Sequence, residues 1–122
     1  MNELDLAWDT FDFYTMEISC YEAEYYINTQ TINNFFDSNN YPHKDQRKRL
    51  LEKSNKCMDT LLVLYKKQID SISDLIKLNE SGIEIPPEKE IDTSSLIALK
   101  NITSTLIEEM RIHKNEIKDL LG

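Results

Sequence analysis

Two histidines, two cysteines and a handful of adjacent carboxylates are the residues of this chain with the reach to do covalent or metal chemistry. Their spacing argues against it. A di-iron carboxylate bundle needs Glu-x-x-His pairs on facing helices, but Asn40 stands three residues before His43 and Met110 three before His113. Cys20 and Cys57 lie too far apart in sequence to read as a zinc site. Glu108 and Glu109 are neighbours, so on a helix they point about 100° apart and read as a solvated face. Nucleophilic catalysis needs a base and an orienting acid gathered in a cleft. Oxyanion or phosphate work favours a glycine-rich loop, and the chain has only two glycines. The expectation is a non-enzymatic protein with no catalytic residue, no metal, no cofactor and no small-molecule substrate.

The chemistry that remains is docking. In "YEAEYYINTQTINNFF", residues 21–36, three tyrosines and two phenylalanines stand with two glutamates and no lysine or arginine. On a helical wheel this region carries two apolar strips. One is a 3.5-residue seam of Leu4, Ala7, Phe11, Tyr14, Ile18, Tyr21, Tyr25, Asn28, Ile32 and Phe35, with a polar interruption at Asn28. The other, roughly opposite, holds Phe13, Met16, Cys20 and Ile27, with Trp8 and Tyr26 on its margin. A helix packed on one neighbour needs one stripe. Two stripes mean either that this helix is sandwiched at the centre of a bundle or dimer, or that one strip meets another protein. In the second case Trp8, Phe13, Met16, Cys20, Tyr26 and Ile27 supply the anchors, because aromatic side chains bring large area at small entropic cost. Asp9, Asp12, Glu17, Glu22 and Glu24 then favour a basic partner.

Charge is divided unevenly. The net charge is −8, and residues 1–43 hold eight acids and no lysine or arginine. Residues 44–79 hold nine bases against five acids. "HKDQRKR" (43–49) forms a secondary basic patch of Lys44, Arg47, Lys48 and Arg49 at a helix start, where the macrodipole disfavours cations. Asp37, Glu116 and Asp119 are expected to offset it; otherwise the patch docks an acidic partner. The overall acidity excludes nucleic acid as the expected partner. No apolar run is long enough for a membrane span, and the acidic start "MNELDLAWDTFDF" lacks the pattern of a signal peptide. The expected location is the cytoplasm, or the nucleus of a eukaryotic cell, with Cys20 and Cys57 as reduced, buried thiols.

Two breaks organise the chain. "DSNNYP" (37–42) has turn chemistry, with Pro42 placed to open the next helix. "NESGIEIPPEKEIDTS" (79–94) contains Gly82 and a tandem proline that favours an extended path. The segments between them predict one all-α domain over 1–122, with an acidic proline-containing connector at 80–93. The architecture expected is an elongated antiparallel bundle or coiled coil of three long helices, about 3–37, 43–79 and 94–121. The second helix presents Leu51, Met58, Leu61, Leu62, Tyr65, Ile69, Ile72, Leu75 and Ile76. The third presents Leu96, Leu99, Thr103, Leu106, Met110, His113, Ile117 and Leu120, with Asp92 or Ser94 as its cap, Gly122 as its stop and His113 as a buried or half-buried structural residue. In the hairpin Cys20 and Cys57 fall at nearly the same height, within reach of a contact.

These features describe a protein–protein interaction module: a small helical adaptor or structural subunit of a homo- or hetero-oligomer, bound to a helical or basic protein partner. An acidic immunity-type or antitoxin-type inhibitor of a basic partner is the alternative. An export-chaperone-like holder of a partner's amphipathic helix is the third reading.

Overall fold

The long runs free of glycine and proline fold as helices within a residue or two of the expected bounds. The computed structural model describes residues 3–37 and 44–121, and the side chains of all of these except 33–37 and 44. Helix α1 spans Glu3–Asp37, α2 Lys44–Glu80 and α3 Thr93–Leu121. At 1.5 Å per residue they measure about 53, 56 and 44 Å. The turn chemistry of 38–43, Pro42 and His43, and the stop at Gly122 lie outside the described residues.

Helix α2 ends where the Ser81 amide and hydroxyl both donate to the Leu78 carbonyl, at 3.3 and 2.7 Å. Gly82 follows with φ +78°, a left-handed turn that costs a residue without a β-carbon little. The connector is extended through Pro86, as the tandem proline predicts, but Pro87 opens a single 3-10 turn to Lys89. A proline at the first position of such a turn needs no N–H partner and already has the right φ. The connector is tied down at both ends. Lys89 forms an ion pair with Asp5 at the start of α1, and Asn79 Nδ2 donates to the Ile91 carbonyl at 2.7 Å. Asp92 caps α3: its carbonyl accepts the Leu96 amide at 3.1 Å, and its carboxylate accepts the Ser94 and Ser95 hydroxyls.

The helices run up, down, up. Gln68 reaches Thr15, Cys57 reaches Tyr21 and Tyr65 reaches Glu22, so α1 and α2 are antiparallel. Lys114 pairs with Asp59 while Leu96 packs with Ile72 and Leu75, so α3 is antiparallel to α2. Two clusters form the core. One gathers Cys57, Met58, Leu61, Tyr65, Ile107 and Met110, flanked by Ile18, Tyr21 and Tyr25 of α1. The other joins Ile72, Leu75 and Leu96 with Ala7, Trp8 and Phe11. Burying side chains such as Met58, Leu61 and Ile72 contributes about 1.5–3 kcal/mol each.

The central helix is α2, not α1. It packs along both other helices, which meet each other more sparsely. The reason lies in its buried positions: beside the expected apolar residues, Ser54, Cys57, Leu64, Gln68 and Ser71 are also buried, so its inward face is wide enough for two neighbours. In α1, by contrast, only Leu4 and Asn28 are fully buried among the described side chains, and Ala7, Phe11, Tyr14, Ile18, Tyr21, Tyr25 and Ile32 are half-buried. In α3 the expected seam holds at Leu96, Thr103 and Met110, whereas Leu120 is exposed and Ile107 is buried instead.

Candidate docking face

Because α1 gives only its first seam to the bundle, the opposite strip is left facing outward. Leu6, Phe13, Met16 and Ile27 are 60, 56, 69 and 63% exposed, and Cys20 is exposed with them. These are large apolar side chains on one line of one helix. The exposed large apolar residues of α3, Ile97, Ile102, Ile112 and Leu120, stand five, ten and eight residues apart, without the three-and-four spacing that puts side chains next to one another along one helix face, and scattered apolar residues of that kind are ordinary. The α1 strip therefore stands out by alignment. Phe13 is also held in place, its ring edge-on to Tyr14 at 5.5 Å between centroids.

The residues expected on the margin separate. Trp8 is half-buried, edge-on to Phe11 at 5.7 Å, and packs with the Ile72–Leu75–Leu96 cluster. Tyr26 is 63% exposed but lies about 100° from Ile27 around the helix. Of the acids, Asp9, Asp12 and Glu22 are exposed, and Glu17 and Glu24 are half-buried. Leu6 and Ala23 also fall on the strip and are exposed. Their signal is the seven-residue spacing, which sets Leu6 seven before Phe13 and Ala23 seven after Met16, in a register that Asp9 interrupts.

The two thiols do not meet. Cys20 is exposed on the outer strip, contrary to the expectation of burial, while Cys57 is buried and donates to the Tyr21 carbonyl at 3.2 Å. The heights match as expected, but residue 20 points away from α2 and its neighbour's backbone takes the contact. Burial pushes the Cys57 thiol above its ordinary range, with the Glu24 carboxylate adding to the effect.

The inner side of α1 uses its polar residues to fix register. Gln68 Nε2 donates to Thr15 Oγ1 at 2.9 Å, and Tyr65 Oη donates to Glu22 Oε2 at 3.0 Å. Burial, and then the Glu22 charge, hold Tyr65 well above the usual tyrosine range. Asn28 is buried with its Nδ2 unpartnered. His113 is exposed rather than buried. It stands on the edge where α3 meets α1, its ring edge-on to Tyr25 at 6.3 Å between centroids and its Nδ1 2.9 Å from Tyr25 Oη. Tyr25, Thr29, Ser54, His113 and Glu116 border a half-open cleft of about 300 Å³ near the hairpin end.

In the basic patch, Lys48 and Arg49 are exposed, and Lys48 lies 4.0 Å from Glu52 one turn on. Arg47 is half-buried in a shallow groove with Leu51, Leu120 and Leu121, so α3 does end beside the patch. The side chains of Asp37 and Lys44 lie outside those described. Among the described residues no group of three His, Cys, Asp or Glu could hold a metal ion, and no helix is long and apolar enough to cross a membrane.

Comparison with family models, with curated proteins and with solved structures finds no match.

Proposed function

We propose that the chain is a non-enzymatic protein–protein interaction module, a small helical subunit or adaptor that completes a larger helical assembly through the outer face of α1. The observation that carries this reading is the aligned, exposed strip of Phe13, Met16, Cys20 and Ile27 on a helix whose inner seam is already engaged by α2. A contiguous apolar strip with a polar border is what interaction sites share, and its aromatic and methionine content suits an anchor.

The acidic border favours a second reading, a neutraliser that covers a basic site on its target. Ionic strength separates the two: a neutraliser loses association rate steeply with salt, whereas an apolar assembly interface does not.

The test is the mass of the native assembly. Tagged chain at its natural level, isolated from the cells that make it, is sized by chromatography with light scattering beside Phe13→Asp and Ile27→Asp. The wild type is expected in a species well above its own 14.4 kDa. Both reversals are expected at monomer mass with unchanged helical circular dichroism. A monomeric wild type, or variants that keep its mass, refutes the reading.

A further inference from the structure

The outer strip is longer and more regular than its four largest residues suggest. Leu6, Phe13, Cys20 and Ile27 are seven apart, and Asp9, Met16, Ala23 and Gln30 follow each of them by three. This is the 3–4 alternation by which one helix lies along another, with each side chain entering a gap on its neighbour. Five consecutive positions of the register, Phe13, Met16, Cys20, Ala23 and Ile27, are apolar and exposed. They cover about 21 Å of helix. The small residues Cys20 and Ala23 in the middle leave room for larger side chains from the other side.

The flanks decide what lies there. In such a pairing the residues bordering the seam face the corresponding borders of the partner and set its identity. Here they are Asp5, Asp12, Ser19 and Tyr26 on one side and Thr10, Glu17, Glu24 and Thr31 on the other. Four are acids and none is basic; Asp5 is already paired with Lys89, so Asp12, Glu17 and Glu24 carry the argument. Pairing with a second copy of α1 sets like against like. In a parallel pair the border residue at one position meets the opposite border five residues on, which places Asp12 against Glu17 of the second copy. An antiparallel pair centred on the strip places Glu17 against Glu24. No lysine or arginine on α1 relieves either arrangement.

We infer that the outer face of α1 is one half of a heterotypic coiled coil, and that its occupant is an amphipathic helix of a different chain with large apolar residues on its seam and lysine or arginine on both borders. This rests on the docking reading above and names the partner chemistry. The acidic borders then repel the chain's own copies and admit a basic helix, attraction and exclusion coming from the same residues.

The experiment uses the full-length protein and labelled four-heptad peptides. The first has leucine and isoleucine on its seam and lysine at every border position, which also keeps it from pairing with itself. The second has glutamate at the borders; the third keeps the lysines but has serine on the seam. Fluorescence anisotropy is expected to show binding of the first peptide alone, weakening as salt is raised. Met16→Glu is expected to cost at least ~30-fold, the loss of a ~2 kcal/mol anchor. Met16 is exposed, so the variant keeps its fold, which circular dichroism checks. The triple variant Asp12→Lys, Glu17→Lys, Glu24→Lys is expected to lose at least ~10-fold for the lysine peptide and to gain binding of the glutamate peptide.

Absence of binding to the lysine peptide, or binding indifferent to the triple reversal, overturns the inference. Light scattering of the protein alone separates this failure from failure of the docking reading. A dimer that Met16→Glu dissociates makes the occupant a second copy, so the inference falls while docking stands. A monomer that binds neither seam peptide, in an assembly whose mass Phe13→Asp leaves unchanged, overturns both.

Discussion

Tyr65→Phe tests whether the α1–α2 contact is built as described, and it does so with a change of sign. The substitution keeps the ring in its buried place and removes one hydroxyl, which donates to Glu22 Oε2 at 3.0 Å. Hydrogen bonds to charged acceptors contribute roughly 1.5–3 kcal/mol, but Glu22 is exposed and its carboxylate regains water when the hydroxyl goes. The expected cost at pH 7 is therefore about 1 kcal/mol, or ~3–5 °C in Tm.

Raising the pH reverses the order. Burial and the Glu22 carboxylate keep folded Tyr65 protonated well above the range in which the unfolded chain releases the same proton, near pH 10. Its contribution is full below about pH 10 and declines as pH rises further, by about 1.4 kcal/mol per unit. Phenylalanine has no proton to lose. The gap between wild type and variant should close near pH ~11 and favour the variant beyond it. Tyr25 and Cys57, whose pKa values burial also raises, are present in both proteins and cancel in the difference. Urea unfolding followed by far-ultraviolet circular dichroism from pH 7 upward at constant ionic strength measures it. Curves that stay parallel above pH 10 would refute the buried, carboxylate-paired tyrosine.

Two further outcomes follow from burial. A thiol reagent should modify Cys20 at once in the native protein and Cys57 only on unfolding, because Cys57 is buried with its thiol pushed up; equal native rates would contradict the outward placement of residue 20. Asn28→Leu removes a side chain that is 4% exposed with an unpartnered Nδ2, and should raise stability by ~1–2 kcal/mol in urea unfolding. A loss instead would mean that Asn28 sets the register of α1 on α2.

Helix bounds were readable because their signals are local. The Gly82 stop, the Asp92 cap and the unbroken runs between them act within a turn of where they stand. The two seams of α1 were readable as well, since period needs no knowledge of the neighbours. Which helix is central was not. Aromatic mass is concentrated on α1, yet centrality follows from small and polar residues of α2, Ser54, Gln68 and Ser71, which count as solvent-facing in any hydrophobic pattern. The orientation of Cys20 and His113 was hidden for a related reason. His113 stands at the edge of a seam, where a rotation of some tens of degrees decides between core and water; Cys20 lies in the middle of the outer strip, and its exposure follows from which seam packing turns toward α2.

That rotation also shapes what the candidate face can be. Seating Leu4, Ala7, Phe11, Ile18 and Tyr25 toward α2 turns Phe13, Met16 and Ile27 outward as a necessary consequence, because the two seams lie on opposite sides of one rigid cylinder. The bundle's own packing does not use the outer residues, so charged side chains there would serve the isolated chain better in water. Two sequence facts then belong together: apolar residues kept at heptad spacing where the fold does not need them, and acids without a single base on the same helix. A partner helix of opposite charge accounts for both at once. A bundle complete in itself accounts for neither, and a self-pairing one accounts only for the first.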